Sequence, residues 1–593
     1  MLDNMNELVQ HSPVSGKLSL EQVSGDTRNF HEAENEATAG AGCTRTMYAY
    51  APVSGCPAPK QCQVLMVLRD GCDEASARRI MTELELDRLA EERHFILVFP
   101  NPLPGGWNYS ADSTRENDMD YLIRCFAELK TSSLKVSGFN GMTFYLATSQ
   151  ETSAMLMTFA VLRPLNVPAI MLDRLPADYR LPEGALNAPV AAWSGDSVAT
   201  AYIKKANHSD ETCPVIVNGI KIYKGGENPH VRLLEANRPI DSSAVRLAWD
   251  NLFSETRRWQ NDTWGTYQGR TNFTERGFVG HVKDTRLGVN NGFAHTWYEY
   301  IPPQLRGSDA PVPLLFYFHG SNCVPLYGAE QSGWHDIADK EGFIVVYPEA
   351  SRNALWNVWS VAEELDDDAF ILSLIEHMKA VHPIDESRIY VSGFSMGAMM
   401  AHAMASMHPD VFAAAAPFNS FHEGCLMNRK EILEKWQTAR CGVSQFPEDF
   451  VIPSETKLRS DKKKAEKDYR MPIFNTSGLI DANRGKWPIQ SGDDIRLATL
   501  NYWKKYNHIP IPEFVRNNAF ESGLMADENF YDGEDQRFLH HRWYSTNPSG
   551  ISLYEMFIAK RMPHALDIRT TGYAWEFMKK FSRAADGSLF VKP

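Results

Sequence analysis

Two segments of this chain repeat one another, and the repetition limits the fold more than any other feature. "TMYAYAP" (46–52) and "TWYEYIP" (296–302) align in register. The apolar run "VLMVLRDG" ends at Gly71, 19 residues after Pro52, and "LLFYFHG" ends at Gly320, 18 residues after Pro302. "LAEERHFILVFP" (89–100) matches "IADKEGFIVVYP" (337–348), "GWNYS" (106–110) answers "LWNVWS" (355–360), and "DMDYLI" (118–123) answers "DDAFIL" (367–372). The final pair leads to "TFYLATSQETSAMLM" (143–157) in one copy and "RIYVSGFSMGAMMAH" (388–402) in the other. Ordered landmarks at near-constant spacing are the mark of an internal duplication.

Each copy alternates β-branched apolar runs of strand length with amphipathic helical stretches. That pattern predicts βαβ units and a doubly wound parallel sheet covered by helices on both faces. At 593 residues the chain is too long for one core. The expected organisation is a tail over 1–40, an α/β domain over 41–255, a polar linker over 256–284 and a second α/β domain over 285–593. The second copy carries extra residues at about 421–470 and 482–550. Both stretches are expected beyond the C-terminal ends of strands, as lids over a ligand site.

A formal charge of -14, with no sustained Lys/Arg stripe, argues against a nucleic-acid partner. The one dense basic run, "SDKKKAEKDYR" (460–470), is nearly offset by its own acids and reads as a solvated surface segment. No apolar run approaches bilayer length, so no membrane association is expected. The N-terminus has no basic start followed by an apolar core, which predicts a cytoplasmic chain unless a leader has been removed. Nine cysteines, an odd number without zinc-like spacing, read as free thiols and give no metal site. No cofactor is implied.

The second copy carries the chemistry. Acyl transfer needs a nucleophile, a base, a group that orients the base and donors for the oxyanion. Ser395 sits in "GFSMG", between a strand-like "RIYVS" and a helix-like "MGAMMAHAMA", the context a G-x-S-x-G turn requires. His564 follows the strand-like "YEMFIA" in a Pro-His turn before a closing amphipathic helix. Asp481 follows the strand-like "MPIFNTSG", with Asp493 and Asp494 as rivals just downstream. The chain order Ser, Asp, His is that of α/β-hydrolases. For the oxyanion hole, backbone N–H groups at Ser321 or Asn322 would join that of Met396. His319 is expected to shape that loop beside the substrate, and Trp334, Trp356 and Trp359 to lie around the strand ends as substrate contacts. Trp487, Tyr502, Trp503, Phe530 and Tyr531 add aromatics in the extra segments, and such a lining would suit an aryl acyl group or a sugar face.

"FYFHG", "GWHDIADKEGFIVVYPE", "DDDAFI", "RIYVSGFSMGAMMAH" and "FAAAAP" together resemble the polyhydroxybutyrate depolymerase and feruloyl esterase family of α/β-hydrolases. The likeness runs strongly over about 310–420 and thinly through "SGLIDAN" to the "MPHA" end. It implies a tandem α/β-hydrolase and a serine esterase acting on hydroxyalkanoate or cinnamoyl esters, some attached to polysaccharide. Carried over by position, the nucleophile is Ser395, the acid Asp481 and the base His564. Met396 stands where many members have Asn, which bears on substrate choice.

In the first copy Gln150 occupies the nucleophile position, and Thr148 and Thr152 replace its flanking glycines. His230 matches His564 by its Pro-His context, and Asp196 lies near the acid position. Without a hydroxyl this copy is expected to hydrolyse nothing. Two other functions stay open for the whole chain. One is a serine peptidase of the same fold, although no propeller repeats appear; the other is a silent binding or scaffold protein.

Overall fold

The computed structural model describes residues 17–23, 45–53, 62–109, 117–129, 138–209, 213–321, 323–351, 354–358, 365–420, 462–481, 487–492 and 494–592. The chain divides into two compact units, 1–270 and 271–593. The division falls inside the stretch read as a linker. Within that stretch β11 (Arg257–Trp259) pairs with β12 (Thr266–Gln268) in the first unit.

The first unit is built on a ten-stranded sheet. In chain order its strands are β1 (Lys17–Val23), β2 (Arg45–Ala51), β3 (Cys62–Leu68), β4 (Ile96–Pro100) and β5 (Gly138–Ala147). They continue as β6 (Ala169–Met171), β7 (Ala191–Ser194), β8 (Val215–Val217), β9 (Ile220–Lys224) and β10 (Arg232–Glu235). Across the sheet the order is β1-β2-β4-β3-β5-β6-β7-β10-β9-β8.

The second unit holds another ten-stranded sheet. It begins with β13 (Val279–Asp284), β14 (His295–Tyr300), β15 (Val312–Phe318), β16 (Ile344–Pro348) and β17 (Ile384–Phe394). It ends with β18 (Ala414–Phe418), β19 (Ile473–Gly478), β20 (Glu528–Asp532), β21 (Phe538–Thr546) and β22 (Ser549–Ala559). Its order is β13-β14-β16-β15-β17-β18-β19-β22-β21-β20, the same permutation as the first sheet. From β16 to β22 the neighbours run parallel, flanked by antiparallel strands at both edges. Two α/β-hydrolase sheets, wound alike, are the architecture of the chain.

The central parallel strands β15 and β16 are apolar along their whole length because both faces are covered. All seven residues of β15 and all five of β16 are buried, and each large side chain hidden this way contributes about 1.5–3 kcal/mol before entropy is counted.

The landmarks shared by the copies turn out to be tethers. Trp107 donates its indole N–H to the carbonyl of Arg69 at 2.9 Å, and Trp356 donates to that of His319 at 2.8 Å. Asn108 N–H donates to buried Asp118 at 2.6 Å, and Asn357 N–H to buried Asp367 at 2.7 Å. The copies differ in what else meets the carboxylate. Asp118 is ion-paired with buried Arg45. Asp367 instead accepts from Ser351 N–H at 3.0 Å, and burial pushes its carboxyl up to about 6.

Most of the stretch 482–550 is not a separate lid. Its described part forms the helix Ile495–Tyr506 and the strands β20 and β21, which extend the sheet. Ser197–Ala206, β8 and β9 are the counterparts in the first unit. Residues 421–461, most of the other extra segment, lie outside the described residues. The cysteines are not all free thiols: Cys62 is disulfide-bonded, while Cys72, Cys125, Cys213 and Cys323 are free.

Candidate active site

Ser395 stands at the junction of β17 and the helix Met396–Met407, with φ 55° and ψ -117°. A non-glycine residue there carries local strain on the order of 1–3 kcal/mol, tolerated only where the surroundings enforce it. The surroundings here are two glycines. A Cβ on Gly393 would sit 2.3 Å from the Gly397 carbonyl oxygen, and one on Gly397 would sit 2.1 Å from that of Phe318. Only bare backbone lets the turn pass so close to β15. Ser395 N–H donates to Phe418 O at 2.9 Å, tying the turn to the end of β18. Gly397→Ala should therefore lower stability by about 1–3 kcal/mol and cut turnover as well, read by thermal unfolding and an ester assay.

The strained turn presents its hydroxyl to His564. Ser395 Oγ lies 2.8 Å from His564 Nε2, and His564 Nδ1 lies 2.8 Å from Asp481 Oδ2. Ser395 comes from the end of β17, Asp481 from the loop after β19 and His564 from the loop after β22. Parallel strands bring all three to one edge of the sheet. Asp481 is 1% exposed, so its negative charge acts on the imidazole with little screening by water. The Phe394 ring packs 5.0 Å from that of His564. Of the rival acids, Asp494 caps the helix Ile495–Tyr506 and pairs with Arg496, while Asp493 lies outside the described residues.

Of the residues read for the oxyanion hole, Met396 follows Ser395 directly and Ser321 continues a loop packed against its turn. Met396 is the first residue of its helix, where a backbone N–H has no intrahelical partner. A Cβ on Gly320 would sit 3.5 Å from Ser395 Cβ, so the loop that continues into Ser321 packs directly against the turn. Asn322 is outside the described residues. His319 is a buried strut for this loop. Its Nε2 accepts from Ala350 N–H at 3.1 Å, which leaves Nδ1 to donate to Gly320 O at 2.8 Å.

Two aromatic expectations need correction. Trp334 is fully buried, stacked on Phe418 and edge-on to Trp575, because it opens the helix Trp334–Glu341 that packs on the sheet. Trp356 is 1% exposed, with its ring against Phe318 and its N–H on His319 O. Both serve packing and cannot contact substrate where they stand. Trp503 is likewise buried, donating to His402 Nδ1 at 3.0 Å. Trp359 lies outside the described residues, whereas Trp487 is partly exposed and lines a cleft.

Asn419 is a residue the sequence did not announce. It has φ 56° and donates from Nδ2 to Ala565 O at 2.9 Å and, more weakly, to Asp481 Oδ2 at 3.5 Å. It thereby links the Asp481 loop to the loop that holds His564 and Ala565. The phrase "FNS" (418–420) contains no signal beyond its place after β18.

The first unit lacks this geometry. Ser149 is an ordinary helix N-cap, with φ -150°, and it shares a capping box with Thr152. Gln150 begins the helix, exposed, with no strained turn. Asp196 caps its own helix through Val198 and Ala199 N–H. His230 is exposed, and no hydrogen bond or ion pair joins it to Asp196.

Residues 296–430 match the family described as Esterase PHB depolymerase. The matched segment contains the Ser395 turn and the loop at Gly320 and Ser321. A poly(3-hydroxyalkanoate) depolymerase C of Paucimonas lemoignei is 37% identical over 22% of this chain and 33% of its own length. A feruloyl esterase B of Talaromyces funiculosus is 29% identical over 22% of this chain and 37% of its own. The chain thus spans about a third of the length of each of these two curated relatives. Among solved structures, an acetyl xylan esterase from Aspergillus awamori aligns over 51% of this chain and 99% of its own, at 16% identity and a TM-score of 0.36.

Proposed function

We propose that the second unit is a serine carboxylic-ester hydrolase working through an acyl-enzyme, with Ser395 as nucleophile, His564 as base and Asp481 as the group that orients and stabilises the base. One observation carries the reading: two consecutive contacts of 2.8 Å run from hydroxyl to imidazole to buried carboxylate.

The chemistry follows from that chain. His564 Nε2 takes the Ser395 proton as Oγ attacks the ester carbonyl. The imidazolium that forms is held by Asp481 and returns the proton to the leaving alkoxide. The developing oxyanion falls to the N–H of Met396 and to the loop at Ser321 and Asn322, where each donor is worth roughly 3 kcal/mol by analogy with donor deletions elsewhere. Water then repeats the sequence on the acyl-enzyme. The substrates we propose are aromatic (feruloyl-like) or hydroxyalkanoate esters. The first unit has no hydroxyl at Gln150, and we propose that it is catalytically silent.

A panel of matched esters and amides tests this. Esters should turn over and amides should not; the reverse would make the chain a peptidase. Gln150→Ala should leave kcat and KM within about three-fold, since Gln150 makes no contact that acyl transfer uses. A larger kinetic loss would show that the first unit takes part.

A further inference from the structure

On the acid side of the triad a cleft of about 410 Å³, its open mouth included, lies between β19, β22 and the helix Ile495–Tyr506. Its lining includes Ser420, Asn475, Trp487, Arg496, Leu500 and Met556. Most of that surface is apolar, yet two buried side chains in it each keep a polar atom without a hydrogen-bond partner. These are Ser420 Oγ and Asn475 Oδ1, in residues 7% and 4% exposed. A buried polar atom left unmatched is costly, and most such atoms in folded proteins find a partner. Two in one cleft call for a ligand that brings hydrogen-bonding polarity into it.

The neighbours narrow its chemistry. Asn475 Nδ2 already donates to Tyr554 OH at 3.1 Å, so the atom of the amide left unmatched is its acceptor oxygen, which needs a donor. Ser420 Oγ can donate or accept. Arg496 lies 4.4 Å over the Trp487 ring and is paired with Asp494, so its charge is matched and an anion gains little from it. A neutral hydroxyl meets both needs, donating to Asn475 and exchanging a hydrogen bond with Ser420. Its carbon skeleton would lie against Leu500 and Met556.

We propose that this cleft binds a small neutral hydroxyl-bearing group, carried on an aliphatic chain or an aromatic ring. Ser420 adjoins Asn419, which holds the Asp481 and Ala565 loops together, so the occupant sits beside the acid arm. The assignment does not depend on turnover, and a catalytically inert chain would pass or fail the same test.

The test uses the 593-residue chain with 4-fluorophenol, 1-butanol and fluorobenzene as probes, followed by ligand-observed NMR. Binding of 4-fluorophenol at least five-fold tighter than fluorobenzene supports the proposal and identifies a ring. Binding of 1-butanol alone, weakened by the variants below, supports it and identifies a chain. Asn475→Leu should abolish the preference for the hydroxyl, a loss of about five-fold, in the range expected for one neutral hydrogen bond. Ser420→Ala, a smaller change, should weaken the same probe about two- to five-fold and serves if the first variant fails to fold. Failure of both hydroxylated probes to bind overturns the proposal. So does equal binding of fluorobenzene, or affinity that neither variant changes.

Discussion

Ser395→Ala should reduce ester turnover by roughly 10⁴-fold or more while leaving the thermal unfolding midpoint within a few degrees. The kinetic loss is large because Ser395 supplies the hydroxyl hydrogen-bonded to His564 Nε2, and nucleophiles removed from such triads cost up to about 10⁶ in kcat. The fold should hold because alanine keeps the Cβ and the backbone that form the turn. The positive φ is enforced by the close approach of Gly393 and Gly397 to their neighbours, not by the hydroxyl. The exchange removes one partly buried hydrogen bond, about 1 kcal/mol. Near-normal turnover in a folded variant would mean that Ser395 is not the nucleophile.

Asp481→Asn should lower kcat by about 10³–10⁴ with little change in KM. An amide at 481 can donate to Nδ1, which favours the wrong imidazole tautomer and removes the charge that steadies the imidazolium. A loss confined to kcat is what an interaction made mainly in the transition state produces. Asp494→Asn is the matched control. Asp494 is a helix cap paired with Arg496, so its replacement by Asn keeps the cap, removes the ion pair at a cost of no more than about 1 kcal/mol and should leave kcat within a few-fold. If the two variants trade places, the acid has been misassigned.

Much of this geometry is legible in the sequence, for a physical reason. The duplicated landmarks are strands and tethers of one sheet plan, so aligning the copies aligns two identical strand orders. The G-x-S-x-G spacing is legible because only glycine tolerates carbonyl oxygens 2.1–2.3 Å from where a Cβ would stand. The loss of both glycines around Gln150 goes with a relaxed, conventionally capped helix start. The side-chain environments were not legible. Trp356 lies next to loop-like sequence and so suggests a substrate platform, yet its counterpart Trp107 recurs in the copy without a nucleophile, and both indoles donate to backbone carbonyls. A residue that makes the same tether in both copies belongs to the scaffold. Trp334 is hidden by the closing helix Ile568–Met578, through Trp575, more than two hundred residues away in sequence. The extra segment after Asp481 looks like a lid because its hairpin pairs with a strand that comes later in the chain, so its place in the sheet is invisible locally. Asn419 escapes notice because its work is done across loops distant in sequence.

The most direct measurement is covalent labelling of the folded chain with a fluorophosphonate, the modified peptide located by mass spectrometry. Stoichiometric modification of the peptide bearing Ser395, abolished by His564→Ala in a protein that still folds, is the predicted result. An unlabelled, folded wild-type chain, or an adduct on any other residue, would contradict it.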